Sequence, residues 1–107
     1  MSAAVRVLHE DGDRFTVEVR GHSITVDQPL ADGGTDLGPS PTELFVASLA
    51  GCVAFYGRRF LRRHGLPDDV TVNVEWSMGS SPPRVDAIEM LVAAEGVFFM
   101  TIKPASR

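Results

Sequence analysis

The chain has 107 residues, ten Lys plus Arg against fourteen Asp plus Glu for a formal net charge of -4, and a single cysteine. That length suits one small domain, spanning residues 1–107, which can bury somewhat more than about 60% of its unfolded surface, so a second subunit would add usefully to a modest core. The acidic balance gives no reason to expect nucleic acid or an anionic membrane as partner, and one cysteine excludes an internal disulfide. The start MSAAVRV meets Arg6 early and lacks the apolar stretch of a signal peptide, so a reducing cytoplasm is the expected compartment. The longest uncharged apolar run, Leu44 to Tyr56, is too short to span a bilayer.

In chain order the hydrophobic period predicts strands, one helix, then strands again, an α+β pattern without repeats. Val5 and Val7 alternate with polar neighbours, Asp11-Gly12 supplies turn chemistry, and Phe15, Val17 and Val19 alternate once more, which reads as a hairpin. Arg20-Gly21-His22 turns into a third strand carrying Ile24 and Val26, which Pro29 ends. Pro41 to His64 has helical length and stops at Gly65-Leu66-Pro67. Val70, Val72, Val74, Trp76 and Met78 alternate cleanly, Ser80 to Pro83 break that strand, and another runs from about Val85 to Ala93.

Most catalytic chemistries find no support. His9, His22 and His64 are scattered and share no metal-ligand spacing with Cys52 or the carboxylates, so no metal is expected. Gly33-Gly34 is followed neither by the Lys-Ser or Lys-Thr pair of a P-loop nor by a dinucleotide fingerprint, so no nucleotide cofactor is expected either. Arg58, Arg59, Arg62, Arg63 and His64 crowd the end of the helix, where positive charge offsets the macrodipole; that reading is preferred to a nucleic-acid patch.

The stretch from Asp27 to Cys52, DQPLADGGTDLGPSPTELFVASLAGC, is the most informative. Gly33, Gly34 and Gly38 give a flexible approach, Pro39 and Pro41 stop any strand, Ser40 suits an N-cap, Pro41 the first helical position, and Glu43 the return hydrogen bond to the Ser40 amide. The helix then carries Cys52, read as a buried thiol and the only cysteine nucleophile candidate. At one hundred degrees per residue, Leu44, Ser48, Phe55, Tyr56 and Arg59 share its side, and Gly51 and Gly57 suggest that another backbone approaches. An apolar setting would raise the thiol pKa, so a reactive role needs a cation nearby: Arg59, or Arg14 or Arg20 from the hairpin. The residues alone leave packing and chemistry both open for Cys52.

RGHSITVDQP, GG, GPSPTEL and LAGC, in this order, resemble the OsmC/Ohr family of small thiol proteins, over roughly Val5 to Met78. The resemblance implies an intertwined homodimer, with a strongly bent antiparallel sheet wrapped on long central helices, and thiol-dependent reduction of organic hydroperoxides. Cys52 matches the peroxidatic cysteine. In the family an arginine and a glutamate assist the thiolate; Arg14 is the match by order for the first, with Asp11 at that spot in another alignment. The peroxidase branch places its glutamate directly after the proline, where this chain has Thr42, and Glu43 follows one position later. Nine helical residues separate Glu43 from Cys52 by about 13 Å and half a revolution, so Glu43 would act only across a dimer interface, or serve purely as a cap. The family's second long helix, with its resolving cysteine, is not expected in VFFMTIKPASR, so the chain reads as C-terminally shortened. A sulfenic acid at Cys52 would then need an external thiol as reductant, and the sheet face of Val72, Val74 and Trp76 would lose cover. The expected activity is one-cysteine peroxide reduction; the alternative is a non-catalytic OsmC-like module that binds a small apolar ligand or is a folded remnant.

Overall fold

The computed structural model describes residues 3–80, 83–94 and 98–102. The backbone divides into two compact units, Met1–Leu44 and Phe45–Arg107.

The first unit is an antiparallel meander of β1 (Val5–Asp11), β2 (Arg14–Val19) and β3 (His22–Val26) with β2 in the centre. β2 is half-buried along its whole length, while its two neighbours are mostly exposed, as edge strands are. Two-residue turns fix the register. Val19 pairs with His22 across Arg20 and Gly21, whose φ values of 48° and 80° give the doubly left-handed turn that follows the strand twist. The first hairpin turns at Gly12, φ 53°, and a bulge between His9 and Asp11 adjusts the pairing before Arg14.

Residues 27–40 form a closed loop between β3 and the helix. The Asp27 amide donates to the Pro39 carbonyl at 3.0 Å, which draws the two ends together. Between them a single turn of 3-10 helix, Leu30–Asp32, ends on left-handed Gly33. A Cβ on Gly34 would strike the Gln28 carbonyl, and one on Gly38 would strike the Thr25 carbonyl. Both glycines are therefore required by close backbone approach rather than by looseness.

The helix α1 (Pro41–Arg63) begins in the first unit and continues into the second. Its start is the predicted capping box: the Ser40 hydroxyl accepts from the Glu43 amide at 3.1 Å, and Glu43 Oε1 accepts from the Ser40 amide at 2.8 Å. Its end is a Schellman motif, with the Leu66 amide on the Leu61 carbonyl at 2.9 Å and the Gly65 amide on the Arg62 carbonyl at 3.1 Å, and Gly65 at φ 67°.

In the second unit β4 (Val70–Ser80), β5 (Pro83–Ala94) and β6 (Phe98–Ile102) form another antiparallel meander. Val72 faces Val92, Val74 faces Met90 and Trp76 faces Ile88, so one side of the sheet is apolar by register. Val92 and Met90 are buried, Val72 and Val74 are half-buried, and Trp76 is exposed. A Cβ at Gly57 of α1 would stand 4.0 Å from a Val70 methyl, an ordinary van der Waals contact, and one at Gly51 would meet nothing within 4 Å, so among the described residues no close neighbour requires either glycine.

The α+β class, the long helix and the antiparallel strands are as the sequence predicts. The strands lie in two three-stranded sheets, where the resemblance implies one bent sheet. The tail beginning at Phe98 contributes a strand, whereas the sequence reading assigned it no element; the breaker residues Ser81 and Pro82 lie outside the described residues.

Candidate active site

The helix sets the geometry around the thiol. Cys52 is exposed, which corrects the expectation of a buried sulfur. The reason is visible along α1: Val46 and Leu61 are buried, while Phe45, Phe55, Tyr56 and Phe60 keep 53%, 54%, 65% and 47% of their surface. The side of the helix that bears Cys52 is apolar but uncovered.

Rings and cations flank the sulfur along the helix. Phe55 and Tyr56 meet edge to face with centroids 5.1 Å apart, and the Arg59 guanidinium sits 5.5 Å from the Phe55 centroid, a cation–π geometry. Arg59 thus faces the same apolar strip as the thiol, two turns further on. Arg58 and Arg62 turn to Asp68, with Nε atoms 3.1 Å and 3.8 Å from its Oδ2, on the surface.

The other two predicted site residues belong to the first unit. Glu43 spends one carboxylate oxygen on the cap of α1, and nine helical residues place it about 13 Å along the axis from Cys52. Arg14, half-buried at the start of β2, donates through Nη1 to the Thr35 hydroxyl at 3.4 Å. Arg20, the third candidate cation, occupies the exposed β2–β3 turn.

Asp27 is the residue that sequence reasoning missed as an organiser. It is 1% exposed and its carboxylate accepts four hydrogen bonds: from the Gln28 amide at 2.7 Å, the Leu37 amide at 3.2 Å, and the Thr35 amide and hydroxyl at 3.4 Å and 2.5 Å. The Thr35 hydroxyl first, and then the Gln28, Leu37 and Thr35 amides, hold its pKa down at about 2 against the opposing effect of burial. The only signal in the sequence was an aspartate at the end of a strand before Gln-Pro, followed by a glycine-rich loop. Among the described residues no three His, Cys, Asp or Glu side chains converge as a metal site would require.

One long helix that carries the single cysteine, preceded and followed in the chain by antiparallel three-stranded meanders, defines a small α+β class of fold. The family model described as OsmC-like protein matches residues 33–98, and the chain belongs to that family. The fold agrees with the solved structure of an osmotic stress induced and detoxification response protein from Psychrobacter arcticus 273-4, with a TM-score of 0.81 at 22% identity, over 92% of this chain and 73% of that one. A comparison with curated proteins finds no match. By length and composition alone α1 is apolar enough to cross a membrane, though its uncharged run is short; core helices of soluble proteins pass the same test, and membership of this family is consistent with a soluble protein.

Proposed function

We propose that the chain is a thiol-dependent peroxidase that reduces organic hydroperoxides in a stress response, working in the cytoplasm as a homodimer. The observation that carries this reading is the exposed Cys52 on an apolar helix face, in a chain of the OsmC-like family. An apolar approach suits an alkyl or aryl hydroperoxide better than hydrogen peroxide, because the organic group is taken out of water together with Phe55 and Tyr56.

In the proposed reaction the Cys52 thiolate attacks the terminal peroxide oxygen. The S–O bond forms as the O–O bond breaks, and the leaving alkoxide takes a proton to become the alcohol. Arginine stabilises the charge that develops on the oxygens, with Arg14 the assigned residue and Glu43, supplied across a subunit interface, its partner. Cys52, now a sulfenic acid, is two electrons oxidised. An external thiol attacks its sulfur and releases water, and a second thiol displaces the resulting mixed disulfide to restore Cys52.

The test is peroxide consumption. With cumene hydroperoxide and dithiothreitol in excess, the protein accelerates peroxide loss and Cys52→Ser returns it to the uncatalysed rate. Equal rates for the two proteins would remove the enzymatic reading in favour of a non-catalytic module that binds a small apolar ligand.

A further inference from the structure

We propose that Thr35, oriented by Asp27, is a positioning residue that holds the Arg14 guanidinium through a one-way chain of hydrogen bonds. The inference rests on the peroxidase reading for what Arg14 does, and on the geometry of residues 14, 27 and 35 for how it is held.

The direction of the chain follows from chemistry. A guanidinium has donors only, an ionised carboxylate has acceptors only, and a hydroxyl has one proton with two lone pairs. The Thr35 Oγ1 is 2.5 Å from Asp27 Oδ2, so its single proton lies in that short, charge-assisted bond. Its remaining capacity is to accept, and the group that approaches it is Arg14 Nη1 at 3.4 Å. The Thr35 amide is held on the other oxygen of the same carboxylate at 3.4 Å, which fixes the backbone that carries the hydroxyl. Asp27 is buried and Thr35 exposed, so the chain runs from an anchored interior acceptor to a half-buried cation at the start of β2. With its pKa held down at about 2, the Asp27 carboxylate is ionised at neutral pH, so the polarity of the chain holds there.

A serine keeps this hydroxyl and a valine keeps its shape without it, so Thr35→Ser and Thr35→Val separate positioning from folding. Nitrogen-15 spectra of the Arg14 Nη groups are expected to show hindered rotation and slowed exchange in the wild type and in Thr35→Ser, and to lose both in Thr35→Val. In turnover of cumene hydroperoxide, Thr35→Val lowers kcat/KM by about tenfold, Thr35→Ser restores it, and Thr35→Val has no further effect once Arg14→Ala is present. Unchanged Nη spectra in Thr35→Val would overturn the proposal, as would an equal loss of rate with and without Arg14. The spectra read the chain without turnover, so an inactive wild type would defeat the peroxidase reading alone.

Discussion

Asp27 gathers three backbone amides and a hydroxyl from a loop of fourteen residues, 27–40, and does so as an anion. Because its pKa is depressed from 3.8 to about 2, the folded state binds this proton less readily than the unfolded chain. Its contribution to stability is therefore complete above about pH 4 and is lost as the pH falls toward 2. Urea denaturation of the wild type and Asp27→Asn should show the wild type more stable at pH 7, with the gap closing as the pH drops through that window. A gap independent of pH would contradict the assignment. Nothing local reveals the role of Asp27, since its partners lie up to ten residues further on and are mostly main-chain groups. For Cys52, its helical face was legible from the angle per residue, but its exposure was not, because whether a face is covered is a tertiary matter.

At the scale of elements, most boundaries were legible because turns and caps carry distinctive residues. Ser40 and Glu43 form the reciprocal cap foreseen from Ser-Pro-Thr-Glu, and Gly65 the left-handed stop. Removing the cap in Ser40→Ala should cost about 1 kcal/mol in denaturant unfolding, and Gly65→Ala a similar amount. Glu43→Gln retains an acceptor for the Ser40 amide, so stability should hold to within about 0.5 kcal/mol. A loss of peroxide turnover in that variant would then report on the carboxylate's charge rather than on the cap. The strand Phe98–Ile102 escaped notice because a short apolar run has no period that distinguishes strand from tail; its pairing, from Ala94 opposite Phe98 to Met90 opposite Ile102, is imposed by β5. The division of the strands into two sheets was likewise absent from the alternation, which specifies faces and not which strands share a ladder.

For the whole molecule, the described core contains five buried hydrophobic side chains, Val26, Val46, Leu61, Met90 and Val92, while Phe45, Phe55, Tyr56 and Phe60 of α1 stay open to water. So small a core beside so apolar a helix face favours association, and the homodimer proposed from the family resemblance would supply the cover. Sedimentation equilibrium at micromolar concentration should return twice the mass of one chain, and Phe55→Asp should weaken the association; a folded wild-type monomer would remove the shared site. The central claim, that Cys52 is a peroxide-reducing thiol, is tested most directly by intact mass after one equivalent of cumene hydroperoxide in the presence of dimedone. The account predicts a single dimedone adduct on Cys52, absent from Cys52→Ser, and an unmodified wild-type chain would contradict it.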